Sequence, residues 1–209
     1  MTPPAKTRRR RVGRPQGGDS AETRARVLRA AVKLFAEKGY HGTGVAEIGD
    51  AAGVQRGALY YHIGSKEDLL LVLLRRHVEE SLEGEEQIVA MDVDPTQKLR
   101  LLLRHHVRTL TERGAEALIY LRDASVLTGK RARELQALRD RVEEIWQTVV
   151  REGEEAGIFR KSDPVVVLGL LSFANFVFLW YRPKGRLTPD EIADAYADLL
   201  LEGLLVPGH

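Results

Sequence analysis

Apolar side chains recur every three to four positions from about residue 19 almost to the end of the 209-residue chain, and no stretch alternates long enough to make a strand. Asp19-Ser20-Ala21-Glu22 has the form of a capping box, a side-chain acceptor three residues ahead of a Glu. Val27, Ala31, Leu34 and Phe35 then share one helix face, and Gly39 is placed to close that helix. Two short helices follow, at about 45–52 with Val45, Ile48 and Ala52 inward and at about 55–62, with Gly53 as the turn between them. Ser65 reads as the N-cap of a fourth helix. Longer helices are predicted at about 66–90, 96–112, 115–127, 130–156, 164–181 and 189–205. The breaks between them are chemical: Asp94-Pro95, Arg113-Gly114, Thr128-Gly129, Ser162-Asp163-Pro164 and Arg182-Pro183-Lys184-Gly185. Thr188-Pro189-Asp190-Glu191 supplies an N-cap, a proline at the first helical position and acids in the first turn.

The pattern predicts an all-α protein in three parts. Residues 1–18 are a basic arm too polar to order itself, 19–65 a three-helix domain, and 66–209 a six-helix body. The most apolar run, Val165 to Trp180, is 16 residues long and contains Gly169, Ser172 and Asn175. A membrane span needs about 18–20. The first residues, Met1-Thr2-Pro3-Pro4, lead into arginines and not into an apolar stretch, so they do not form a secretory signal, and a soluble cytoplasmic protein is expected. The absence of cysteine excludes disulfides, thiolate zinc sites and cysteine nucleophiles. Charge adds an asymmetry: the net +2 divides into +8 over residues 1–66, including Arg8–Arg11 and Arg14, and −6 over the rest. One end is thereby suited to a polyanion, although a solvated basic tail gives the same arithmetic.

The stretch from Thr43 to His62 decides between them. Two helices of about two turns, joined by Gly53, pack through Ile48, Ala51, Val54 and Leu59, so the second of them projects Gln55, Arg56, Tyr60, Tyr61 and His62 outward. Such a helix fits a B-DNA major groove. The run Ala46-Glu47-Ile48-Gly49-Asp50-Ala51-Ala52-Gly53-Val54, then Leu59-Tyr60-Tyr61-His62 and Ser65-Lys66, preceded by Leu34-Phe35-Ala36-Glu37-Lys38-Gly39-Tyr40, resembles the DNA-binding domain of TetR-family regulators over about residues 24–70. Two positions depart from the family pattern: Gly49 stands where Ala is usual, and Gln55 where a Ser or Thr cap is common. The resemblance implies that Arg56 reads a base edge, that Gln55 and Tyr61 reach bases, and that Thr43, Tyr60, His62 and Lys66 hold phosphates, with Gly57 on the same face. The lesser alternative for Tyr60 and Tyr61 is aromatic packing on the first helix.

The same resemblance implies a homodimer joined through the last two helices, with a palindromic double-stranded DNA operator as partner. A run apolar all round, as Val165 to Trp180 is, asks independently for cover on both sides. The remaining helices should enclose a pocket for a small apolar effector, with His106, Leu110, Trp146, Phe173 and Phe176 as candidate lining residues. Glu155 to Arg160 and Leu179 to Asp190 are similar to regulators of fatty-acid and steroid catabolism in this family, which implies an acyl-CoA effector. Neighbours on a helix point about 100° apart, so His105 and His106 do not share a metal, and no metal or cofactor is expected. No nucleophile–base–orienter set and no phosphate-cradling loop is present, which argues against an enzyme. The expected function is a ligand-released transcriptional repressor. The alternatives are a ligand-independent architectural DNA binder and an acyl-CoA-handling enzyme with an accessory DNA-binding segment.

Overall fold

The computed structural model describes residues 17–204, with the side chains of residues 17–19, Arg56 and His62 outside the description. Residues 1–16 of the expected basic arm therefore lie outside the described residues, whereas Gly17 and Gly18, expected in the arm, open the first helix. The helices are α1 (Gly17–Gly42), α2 (Val45–Ala52), α3 (Arg56–Ile63), α4 (Lys66–Val89), α5 (Pro95–Glu112), α6 (Gly114–Asp123), α7 (Gly129–Glu155), α8 (Val165–Asn175), α9 (Val177–Trp180) and α10 (Pro189–Leu204). A 3₁₀ turn at Ala124–Val126 follows α6, and no strand occurs among the described residues. No described helix is long and apolar enough to cross a membrane.

Three local expectations change. Helix α1 already begins at Gly17, so Asp19-Ser20-Ala21-Glu22 lies inside it and not at its start; an exposed helix end can extend by a turn at little cost. Gly39 does what was expected of it, with φ 76° interrupting α1 before its last residues. The helix expected at 115–127 tightens to 3₁₀ after Asp123. The run expected as one helix over 164–181 breaks at Phe176 into α8 and α9. The break lets Val177 enter the core while Leu179 and Trp180 turn outward.

Two apolar clusters fill the molecule. The first joins Val27, Ala31 and Phe35 of α1 to Ile48, Leu59, the Leu69–Leu74 stretch of α4, Ile119 and Leu135. The second gathers Leu99, Leu102 and Leu103 of α5, Trp146 and Val149 of α7, Leu170 and Ala174 of α8, and Ile192, Ala193 and Ala197 of α10, with Ile88 near the end of α4. Helix α4 thus packs in both clusters: its first half belongs with the helix-turn-helix and its end with the body. Its start is fixed by the Ser65 capping box, in which Ser65 Oγ accepts from Asp68 N at 3.0 Å and Asp68 Oδ2 accepts from Ser65 N at 3.0 Å. Arg131 of α7 donates to Asp68 at 2.7 Å, and this hydrogen bond, helped by Ser65, holds the Asp68 carboxyl below its ordinary range.

Candidate nucleic-acid interface and effector cavity

The turn before α3 is built on glycine for two different reasons. Gly53 takes φ 65° and donates its N–H to Asp50 O at 3.1 Å, a left-handed conformation that disfavours a β-carbon. Gly49 has ordinary helical geometry, but a β-carbon there would lie 3.0 Å from Val54 O, tighter than almost all real contacts. The glycine that departs from the family pattern therefore spares Val54 a shift of a few tenths of an ångström that a β-carbon there would require.

Helix α3 buries Leu59 and Ile63 and turns its other faces to solvent. Gln55 is its N-cap, extended at φ −63° and ψ 145° and making no side-chain cap bond, so its amide sits exposed at the leading end of the helix. Nothing lies within 4 Å of a β-carbon built on Gly57, so the backbone is open to close approach there. Tyr61 is 84% exposed and Tyr60 is 42% exposed, which sets aside packing of Tyr61 on α1. Arg56 opens α3 and His62 lies near its end, with both side chains outside the described residues.

Two residues expected on phosphates belong to the scaffold. Thr43 is 2% exposed, its hydroxyl lying 3.1 Å from Leu34 O and 2.8 Å from Gly39 O. That hydroxyl satisfies carbonyls orphaned where Gly39 interrupts α1, and it is not presented to a phosphate. Lys66 donates to Tyr40 O at 2.8 Å and Thr43 O at 2.9 Å, with its ammonium 4.2 Å from the Tyr40 ring centroid. Burial lowers its pKa. Two of its three donors thus fasten the start of α4 to the end of α1.

Further up the molecule, α5 closes over α4 to make a cavity of about 200 Å³. Its walls come from α4, α5, α6, α7 and α8, and include His106 and Leu110 as expected. Trp146 stands behind that wall, fully buried, with its ring edge-to-face on His106 at 5.6 Å. Phe173 and Phe176 do not line the cavity; both are exposed. The inward edge of α8 is Val167, Leu170 and Ala174, and the two phenylalanines fall on the opposite side. Phe173 instead stacks on Tyr196 of α10, with centroids 4.2 Å apart.

Sequence reasoning missed the polar half of this cavity. His77 and Ser81 line it, and with Glu85 they recur every four residues along α4. Ser81 Oγ donates to Glu85 Oε1 at 3.0 Å, and the same oxygen lies 3.0 Å from His106 Nδ1. His106 Nε2 lies 3.0 Å from Asn175 Oδ1. Burial pushes the His106 imidazole down, but the Glu85 hydrogen bond and charge, with Asn175, outweigh it and its pKa is raised. His105 points elsewhere, to Ser81 O at 3.0 Å. The readable signals are the four-residue polar spacing on α4 and Asn175 interrupting the most apolar run.

His77 is the opposite case. Burial, reinforced by the charges of His106 and Arg113, lowers its pKa from 6.5 to about 4, and its Nδ1 is buried without a partner. A histidine depressed in the folded state leaves stability intact above 6.5 and erodes it as pH falls toward 4, because only the unfolded chain takes up the proton. The loss over that interval is expected to reach about 3 kcal/mol. Urea titrations from neutral pH down to the mildly acidic range should show a steep decline in the wild type and a shallower one in His77→Leu. Parallel declines would overturn the assignment.

The likeness to known proteins spans both halves of the chain. Residues 27–73 match the family described as bacterial regulatory proteins, tetR family, and residues 92–204 match the tetracyclin repressor-like C-terminal domain. The transcriptional repressor KstR2 of Rhodococcus jostii (strain RHA1) is 31% identical over 88% of this chain and 92% of its own length. Among solved structures, the TetR-family regulator PfmR from Thermus thermophilus superposes with a TM-score of 0.79 at 34% identity, covering 85% of this chain and 97% of its own. AibR, solved in complex with isovaleryl coenzyme A and operator DNA, gives 0.77 at 28% identity, with coverage of 85% and 97%. With the exposed α3 and the cavity in the body, these matches establish that the chain belongs to the TetR family of bacterial regulatory proteins.

Proposed function

We propose that the protein is a cytoplasmic, homodimeric transcriptional repressor with no enzymatic activity, which binds a palindromic DNA operator and is released from it by an acyl-coenzyme A thioester. The observation that carries this reading is the course of α4. Its first turn follows α3 directly, is capped by Ser65 and is fastened to the end of α1 through Lys66, and three turns later it presents His77, Val78 and Ser81 to the cavity. An effector that shifts this helix changes the angle at which α3 is held. Gln55, Arg56 and Tyr61 read base edges, Tyr60 and His62 contact phosphates, and Gly57 admits the backbone to the groove. Thr43 and Lys66 keep that surface in place.

Support for the effector class comes from AibR, whose complex holds isovaleryl coenzyme A together with operator DNA, and from the cavity. Val78, Leu110, Val142 and Leu171 give it an apolar side for the acyl group. The test is titration of short acyl-CoAs into a complex with an operator fragment drawn from DNA the protein selects. Release by about 5- to 150-fold in affinity is expected. Thioesters that bind and leave operator affinity unchanged would refute the mechanism.

The basic arm, outside the described residues, is assigned to non-specific affinity through Arg8–Arg11 and Arg14. Deleting residues 1–16 should flatten the fall of log affinity with log salt, by about 0.9 in slope for each phosphate that the arm neutralises. An unchanged slope would make the arm a solvated tail.

A further inference from the structure

The polar groups at one end of the cavity are too specifically arranged for a hydrocarbon chain. His106 faces a carboxylate oxygen through Nδ1, so that nitrogen carries a proton. Its Nε2 faces the Asn175 side chain at 3.0 Å. Asn175 presents Oδ1 to that nitrogen, so Nε2 donates as well, and the Asn175 amide, on the cavity wall, keeps its two N–H donors for other partners. The formal charges around the space balance: Glu85 pairs with His106, and Arg139 and Glu143, both on the α7 wall, are opposite in sign. His77, 94% buried by its 6% exposure, stays uncharged at neutral pH and lines the same space. The chamber is therefore electrically neutral and supplied with hydrogen-bond donors. A saturated chain filling it would leave the Asn175 donors dry, which disfavours it; a carboxylate would bring an uncompensated charge.

We propose that the acyl group of the effector carries a neutral oxygen, a hydroxyl or a ketone, which accepts a hydrogen bond from the Asn175 amide, with Glu85 and His106 as positioning residues that hold the amide in that orientation. This rests on the acyl-thioester reading and narrows it. Sites built to hydrogen-bond an oxygen reject the analogue lacking it, because their own polar groups are then stranded.

The test is calorimetric titration of butyryl-, β-hydroxybutyryl-, acetoacetyl- and succinyl-coenzyme A into the full chain and two variants. The hydroxy and keto thioesters are expected to bind about tenfold more tightly than butyryl, one hydrogen bond's difference, and the charged succinyl thioester most weakly. Asn175→Leu should erase the preference for both oxygenated ligands. Asn175→Asp keeps an acceptor for His106 but removes the donors, so it should abolish the preference for acetoacetyl while a hydroxyl, able to donate, retains affinity. That split distinguishes loss of the reading group from general damage. Equal affinity of the wild type for butyryl and the oxygenated pair would overturn this inference and leave the thioester reading intact. Failure of all four to bind would overturn both.

Discussion

Changing Phe176 and Leu179 together to Asp is expected to turn the protein into a monomer and to weaken operator binding by about a thousandfold. Phe176, at the break between α8 and α9, is 56% exposed and Leu179 of α9 61%, and Val165 on α8, Trp180 on α9 and Leu199 on α10 are exposed as well. Scattered apolar residues are ordinary on a surface, but this set is drawn from three consecutive elements, α8, α9 and α10, tied together by the Phe173–Tyr196 stack. Covering a phenylalanine or leucine contributes about 1.5–3 kcal/mol, and two-fold symmetry counts each residue twice. Charged replacements reverse that sum and repel each other across the axis. Operator binding falls with it because a single α3 reads one half-site, and the second half-site no longer arrives already tethered. Sedimentation velocity and operator titration check the two parts, with circular dichroism confirming that the helices persist. A variant that sediments as a dimer would place the interface elsewhere.

The outward face of α8 also shows how far the sequence can be read. Elements with strong local chemistry are legible: Gly53 at the turn, the Ser65–Asp68 capping box and Asp94 ahead of Pro95 all appear as their residue types demand. The direction of side chains in Val165–Trp180 is not, because a run apolar on every face has no periodicity to say which residues turn inward. Phe173 and Phe176, expected in the cavity, accordingly stand outside it. Family resemblance makes Thr43 and Lys66 phosphate ligands, whereas their partners are main-chain carbonyls, which no side-chain pattern reveals. The Glu85–His106–Asn175 chain joins residues 21 and 69 apart in sequence, a distance over which single-sequence reasoning has no purchase.

Transmission from cavity to DNA is expected to need the contacts of α6 as well as those of α4, so that cutting the α6 link leaves a repressor that binds effector and no longer responds to it. Helix α6 carries Tyr120 on the cavity wall and, two residues on, Arg122 at the end of α1. The Arg122 guanidinium donates to the carbonyls of Phe35 and Ala36, its Cζ would lie 3.7 Å from a β-carbon on Gly39, and Asp123 fixes it at 2.9 Å. Those carbonyls belong to the last turn before Gly39 interrupts the helix, where acceptors lack partners further along the chain. A ligand that displaces Tyr120 is expected to displace α1 with it, and α2 and α3 pack on α1. Arg122→Met preserves the aliphatic stem and removes the donors; pairing it with Asp123→Asn avoids leaving a carboxylate that is only 5% exposed without its cation. In the double variant, effector binding should remain, while effector-induced weakening of operator affinity should shrink from about 5- to 150-fold to within a few-fold of none. Linkage supplies an independent check, since operator DNA should then also cease to weaken effector binding, and by the same factor. Full release of the double variant from DNA would assign the coupling to α4 alone.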